Sequence, residues 1–440
     1  MSFDDQGLHP KILKALHEAG YTQPTKIQAE SIGKVIKGAD IRASAQTGTG
    51  KTAAFLLPAL HLLASMPAKK GLGPRVLVLA PTRELAMQIA TQSEKYSKYL
   101  PGIKSVCIGG GVPYHAQIRQ LSKPYDVLIA TPGRLIDFME RRKVEFSRLE
   151  ILVLDEADRM LDMGFVEPVK KIAAATPKER QTLLFSATMR GSVLKLSEEL
   201  LRNPIDIAVD AEKAKHENIK QTLHYVDDLG HKNRLLDHIL QQDDLESAII
   251  FTSTKIHADR LAKELHEKGH SAGALHGDQN QRQRNRTIAQ LKNGKLKILV
   301  ATDVAARGID VQSITHVINF DLPRNSEDYV HRIGRTGRAG AVGKALSFAA
   351  GIDAPLVKRI ERFTGHPFEV EEIEGFAPTK KKTSKKGSSN ADPRTKKFPS
   401  FKPKNFTPGD KKRSNFKPGA KKRPKFKPGA KKQPFFAENK

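Results

Sequence analysis

The sequence predicts two doubly wound parallel α/β domains in tandem, followed by a disordered basic tail. Three observations predict it: short uninterrupted apolar runs separated by helix-length segments, a polar break after which that rhythm restarts, and an abrupt change of composition after Phe376. Apolar runs without alternation mark strands buried on both faces, as in a parallel sheet covered by helices. At 440 residues the chain also exceeds what one hydrophobic core usually organises.

The first set of runs is RVLVLAPT (75–82), KSVCIGG (104–110), DVLIAT (126–131), EILVLDEAD (150–158) and TLLFSAT (182–188). The stretch DAEKAKHENIKQ (210–221) has few apolar residues and reads as a linker. AIIFTST (248–254), SAGALHGD (271–278), KILVATD (297–303), THVINFD (315–321) and KALSFAA (344–350) then repeat the pattern. The expected layout is a first domain at 1–209, a linker at 210–221, a second domain at 222–376 and a tail at 377–440.

In the tail a ten-residue unit occurs three times, NFTPGDKKRS, NFKPGAKKRP and KFKPGAKKQP (405–434). Each has one Phe, a Pro-Gly turn signal and several cations. Such a segment lacks the apolar area to offset its ordering entropy. It holds 19 Lys and 3 Arg against 3 acidic residues, so it carries +19 of the net charge of +27. A polyanion is the expected partner, nucleic acid before a membrane surface. A basic tail also serves solubility, but spaced phenylalanines add nothing to that.

No apolar run reaches the roughly 18 residues that span a bilayer, and MSFDDQGLHP lacks the basic and apolar regions of a signal peptide. With Cys107 as the one cysteine, no disulfide or cysteine-based metal site forms within the chain. A reducing, cytoplasmic setting is expected, with Cys107 as a small core residue.

The stretch ASAQTGTGKTAAF (43–55) carries the chemistry of the first domain. Residues 45–52 fit a P-loop with Ala45 in place of the first glycine. Backbone N–H groups of Thr47, Gly48, Thr49, Gly50 and Lys51 would face phosphate oxygens, together with the following helix's N-terminal dipole. Lys51 would reach the β- and γ-phosphates, and Thr52 would hold Mg²⁺. A second element supports this reading. The run ILVL delivers Asp155 and Glu156 at the end of a strand, where α/β sheets place ligands. One of the pair can bind Mg²⁺ through water while the other orients or deprotonates the attacking water. The second domain has no such cradle, because Gly343-Lys344 is followed by Ala345. It has HRIGRTGR (331–338) instead, whose cations suit an arginine finger reaching across an interdomain cleft.

With these motifs in place, the chain from about Phe3 to Phe376 resembles the DEAD-box ATP-dependent RNA helicases, specifically the RhlE-like bacterial branch with a basic C-terminal extension. The DEAD segment is 155–158, and more than ten motifs follow the family's order. The resemblance implies two RecA-like domains, with ATP and Mg²⁺ as cofactors and Asp155 as the metal ligand. In GYTQPTKIQ (20–28), Tyr21 would stack on adenine and Gln28 would bond its edge, with Phe3 as the upstream aromatic. Pro81, Thr82, Arg83, Gly110, Gly111, Thr131, Pro132, Gly133 and Arg134 match RNA-backbone contacts. Ser186 and Thr188 match the motif that couples hydrolysis to strand separation. In the second domain Thr302 and Arg307 match RNA contacts or relays, and Asp310 matches the ribose contact. Arg335 and Arg338 match the γ-phosphate arginines, and His331 the link to the first domain.

The implied function is an RNA-dependent ATPase that unwinds short duplexes locally. Gly, Thr, Ser and Arg in loops suit phosphate and ribose oxygens, so recognition would be largely sequence-independent. An RNA-annealing scaffold with little ATP turnover and a DNA-directed translocase are the alternatives. Ribosome-assembly and RNA-decay proteins are compatible partners.

Overall fold

In the computed structural model, described over residues 2–45, 48–67, 70–189, 191–209, 218–306, 314–337 and 341–379, each apolar run becomes a parallel strand. The first lobe contains β1 (Ile41–Ser44), β2 (Val76–Leu79), β3 (Ser105–Ile108), β4 (Val127–Ala130), β5 (Ile151–Leu154), β6 (Gln181–Ser186) and β7 (Ile205–Ala208). They form one seven-stranded sheet in the order β3-β4-β2-β5-β6-β1-β7, with every pairing parallel. The second lobe contains β8 (Ile219–Tyr225), β9 (Ala248–Phe251), β10 (Ala272–Leu275), β11 (Ile298–Ala301), β12 (His316–Asn319), β13 (Gly343–Ala349) and β14 (Glu369–Val370). Its order is β10-β11-β9-β12-β13-β8-β14, again all parallel. Counted from its own first strand, the second sheet repeats the strand order of the first. Both lobes lie in one compact unit.

The runs are apolar throughout because successive residues feed opposite cores. Val76 and Val78 point into one cluster with Val127, Ile129, Val153 and Phe185. Leu77 and Leu79 point into the other with Leu128, Leu152, Leu154 and Leu184. The second sheet divides likewise, Ile250, Val300 and Phe348 on one face and Ile249, Leu299 and Val317 on the other. Cys107 is half-buried on β3 against the first core, and burial pushes its thiol up to about 11.

Two boundaries differ from the sequence reading. Residues 219–221, assigned there to the linker, begin β8: Ile219 is buried, and the strand pairs with β13 from Gly343 onward. Polar Lys220 and Gln221 hide this strand in the sequence, yet Gln221 accepts a hydrogen bond from the Tyr329 hydroxyl at 2.8 Å. At the other end, Thr379 donates through its backbone N and its hydroxyl to Asp227 at 2.9 and 2.7 Å. The tail therefore starts no earlier than residue 380, and residues 380–440 lie outside the described residues, as do 210–217 of the linker. β1, β7 and β14 were also missed, being partly polar or at a sheet edge.

Among the described residues no helix is long and apolar enough to cross a membrane. Because all strands are parallel, each sheet presents every strand's C-terminal end along one edge. In the first lobe the order β5-β6-β1 places the DEAD, SAT and P-loop segments side by side, while β3-β4-β2 gathers Gly110–Gly111, Thr131–Arg134 and Pro81–Arg83. One sheet edge thus carries two neighbouring groups of loops.

Candidate nucleotide and RNA site

The phosphate cradle begins where β1 ends. Ala45 N donates to Ser186 O at 2.9 Å, so the loop leaves the sheet beside the SAT segment. Gly48 and Gly50 adopt φ of 79° and 91°, and the helix Lys51–Ser65 follows. Gly50 has no alternative: a Cβ there would lie 2.2 Å from Gln28 Nε2. That amide donates to Gly50 O at 3.0 Å, while its Oε1 accepts from Thr25 N at 3.0 Å. Gln28 is thus a buried strut under the loop, a use that its expected contact with the adenine edge did not foresee. Tyr21 remains 37% exposed, edge-on to Tyr96 at 6.2 Å, with Lys95 Nζ 4.8 Å from its ring centre. Phe3 is buried in the core. Thr47 lies outside the described residues.

Lys51 is buried, and its ammonium has no hydrogen-bond partner among the described residues. A cation removed from water without an acceptor is costly unless an anion joins it, so this position fits a phosphate. Asp155 is 2% exposed. Burial pushes its carboxyl up to about 7, against the lowering effect of Lys51, and neighbouring Glu156 adds to the rise. A carboxyl held there is largely protonated below neutral pH and must lose its proton to meet a cation. Binding of the magnesium–nucleotide complex at pH 6.5 should therefore release a proton. Calorimetry in buffers of different ionisation enthalpy should show that release, and Asp155→Asn should remove it. Equal release in both proteins would assign the proton elsewhere.

Glu156 has φ 51° and ψ 52°, a left-handed backbone that is strained for a residue with a side chain. This abrupt turn ends β5 and brings Glu156 Oε2 within 3.4 Å of Arg159 Nε. Asp158 does separate work. Its Oδ2 accepts from the backbone N of Ala187 at 3.0 Å and of Thr188 at 3.1 Å, and Ser186 Oγ donates to Thr188 O at 2.7 Å. The fourth residue of DEAD thus pins SAT, the P-loop's neighbour, to the DEAD segment.

The cations of HRIGRTGR divide by function. Arg332 clamps Asp303 in a bidentate pair at 2.6 and 2.8 Å and also donates to Asn319 Oδ1 and Asp321 O. It is a structural residue. Arg335 and His331 line a pocket that also includes Arg159 of the first lobe, the residue that follows DEAD. Arg338, Arg307 and Asp310 lie outside the described residues.

On the other half of the edge, Arg83 Nη1 donates to Gly110 O at 3.1 Å, and Arg134 Nη1 to Val112 O at 3.2 Å. Thr82 and Thr131 occupy the N-caps of their helices, with Pro132 at the first turn of the second. Gln117 is buried and holds the glycine loop from within, bonding Gly109 through both N and O. Gly111 has φ 74°, and a Cβ there would sit 3.4 Å from Gln281 Cβ of the second lobe. Thr302 closes β11 through its N to Leu275 O at 3.3 Å. Sequence reasoning missed the cross-lobe pair of Glu84 and Arg284 at 2.8 Å, joined by Gln281 Nε2 at 3.3 Å. The two residues stand 200 positions apart, and nothing in the sequence pairs them.

Residues 25–196 match the DEAD/DEAH box helicase family, and residues 231–340 match the helicase conserved C-terminal domain. The chain is similar to the ATP-dependent RNA helicase SrmB of Haemophilus influenzae, 42% identical over 380 residues that cover 86% of each chain. It is 45% identical to the ATP-dependent RNA helicase DeaD of Mycobacterium tuberculosis over 82% of this chain and 63% of that one. Its fold is like that of Saccharomyces cerevisiae Dbp5 bound to RNA and ADP BeF3, with a TM-score of 0.76 at 32% identity over 86% of this chain and 95% of that one. Sheets, phosphate cradle, DEAD turn and these likenesses agree: the chain belongs to the DEAD-box ATP-dependent RNA helicases.

Proposed function

We propose that the protein is an RNA-dependent ATPase that opens short RNA duplexes locally or remodels RNA–protein complexes, binding ATP and RNA across the cleft between its lobes. The observation that carries this reading is the division of one sheet edge, which sets a buried Lys51, without a hydrogen-bond partner among the described residues, and a protonatable Asp155 next to the glycine and arginine loops.

In this reading Lys51, the 47–51 backbone and Thr52 hold the triphosphate, and Tyr21 stacks on the base. Asp155 and Thr52 would hold Mg²⁺, which supplies charge neutralisation on the phosphates. Among the described residues no three side chains could hold a metal alone, and an ion bound mainly by phosphate and water needs only one or two. Glu156 takes the proton of the attacking water, Arg335 and Arg338 stabilise charge on the transferring phosphoryl group, and Asp310 bonds the ribose. Pro81, Thr82, Arg83, Gly110, Gly111, Thr131 to Arg134, Thr302 and Arg307 hold RNA by its backbone. The link from Asp158 to Ala187 and Thr188 supports SAT as the coupling element. An RhlE-like branch and a cytoplasmic setting complete the proposal.

The tail reads as a tether that stacks bases on Phe406, Phe416 and Phe426 and neutralises phosphates with its lysines. The deciding experiment measures ATPase of the full chain and of a chain ending at Thr379, with RNA, with DNA and without nucleic acid. RNA should stimulate strongly and DNA weakly. The shortened chain should need more RNA for half-maximal rate and show a flatter salt dependence, by ~0.7 in log–log slope per lost phosphate contact. Its maximal rate should change little. Equal stimulation by DNA would favour the translocase, and negligible turnover with strong annealing would favour the scaffold.

A further inference from the structure

Tyr21 stands just past the helix Pro10–Glu18. Gly20 turns left-handed there at φ 78°, its N donates to His17 O at 3.0 Å, and Tyr21 N donates to Leu16 O at 3.0 Å. This closure of the helix end fixes the Tyr21 backbone. The ring itself stays 37% exposed, and a second helix, Arg83–Tyr96, reaches it. Tyr96 is 4% exposed and meets it edge-on, with 64° between the ring planes. Lys95 Nζ lies over the Tyr21 ring, 4.8 Å from its centre. The two segments are also fastened to each other beside the ring. The Glu18 carboxylate accepts from Lys98 Nζ and from the Tyr99 hydroxyl, and Lys14 Nζ sits 4.4 Å from the Tyr99 ring centre.

We infer that Lys95 is a positioning residue for the nucleotide base, holding the Tyr21 ring by a cation–π contact on one face and leaving the other face to adenine. The inference rests on the reading of Tyr21 as the stacking platform. An exposed aromatic side chain turns about two torsions, and a base that stacks on it must stop that motion. Contacts made before the nucleotide arrives lower that cost. Tyr96 limits the ring at its edge, and Lys95 limits it across its face. The ring's negative face attracts an ammonium and repels a carboxylate, so the sign of the charge at position 95 matters. A guanidinium also lies well on aromatic faces, so arginine would serve there. A lysine near a nucleotide site has a second use, direct attraction of the triphosphate. The two uses differ in what they act on: a platform acts on the base, a free charge on the phosphates.

The test measures how tightly ATP and inorganic tripolyphosphate, each with magnesium, displace a fluorescent ADP analogue from the full chain. Lys95→Met should weaken ATP ~3-fold, the ratio that an exposed cation–π contact amounts to. Lys95→Glu, which sets a negative charge over the negative face, should weaken it ~10-fold. Lys95→Arg should bind ATP like the parent. Tripolyphosphate, which has no base, should bind all of them equally. In a Tyr21→Ala background Lys95→Glu should cost ATP nothing further, because a residue that acts through the ring has nothing left to act on. In a Tyr21→Phe background, which keeps the ring, its loss should persist. Equal weakening of ATP and tripolyphosphate would assign the Lys95 charge to phosphate and overturn the inference. So would an undiminished loss in the Tyr21→Ala background, or parent-like ATP affinity in Lys95→Glu. Failure of the underlying reading shows separately, as Tyr21→Ala alone binding ATP as tightly as the parent.

Discussion

Glu156→Gln lowers RNA-stimulated ATP turnover by about 10² to 10⁴-fold, the range that a positioned general base contributes, and leaves ATP binding within a few-fold. The substitution is nearly isosteric, so it keeps the left-handed turn after β5 and the packing against Arg159. On the proposed reading it removes only the lone pair that would take the proton from water. The residues proposed to hold nucleotide and cation, Lys51, Thr52 and Asp155, are untouched, so binding should persist. With binding intact and chemistry blocked, the variant should remain on RNA while ATP is present, seen as a slow off-rate in a competition assay. Turnover within a few-fold of the parent would move the base to another residue, with Asp155 the nearest alternative.

Arg335→Ala should lower the RNA-stimulated rate by about 10³-fold, as removal of an arginine finger does, with a smaller change in ATP affinity. Arg335 is buried in a pocket that Arg159 of the first lobe also lines, so on the proposed reading its charge would act on the phosphoryl group only when the lobes are together. The effect should therefore appear with RNA bound and be slight in the basal rate. Lysine should not substitute, because a point charge on a flexible stem lacks the planar fork that meets several phosphoryl oxygens. An unchanged stimulated rate would remove the finger. Arg332→Ala makes a useful contrast three residues away. It abandons Asp303, Asn319 and Asp321, and its loss should appear in thermal stability before it appears in kinetics.

Much of the fold was legible because buried parallel strands are written as unbroken apolar runs, and ten of the fourteen strands among the described residues carry one. β1 is framed by β6 and β7 yet half polar, β7 and β14 lie at sheet edges, and β8 interleaves Lys220 and Gln221 with core residues. Tertiary pairing rather than local hydrophobicity makes those segments strands. Of the candidate site, the sequence marks the charged groups and not their supports. Lys51, Asp155 and Glu156 stand out because phosphate chemistry needs those groups at that spacing. Asp158, Gln117 and Glu84 do not, since each acts on backbone or side chains remote in sequence.

The sequence by itself determined the fold class, the duplicated strand rhythm, the glycine-rich GTGKT pattern, the paired carboxylates and the basic composition of the tail. All are local: an apolar run, a glycine turn and a charge density are properties of contiguous residues. Tertiary structure alone decided which cation of HRIGRTGR is structural and which faces the first lobe, that Gln28 supports Gly50, and that Arg159 is sealed beside Glu156. Those outcomes depend on burial and on partners across the cleft. Desolvation sets the worth of a charge, and no stretch of sequence states which charges lose their water.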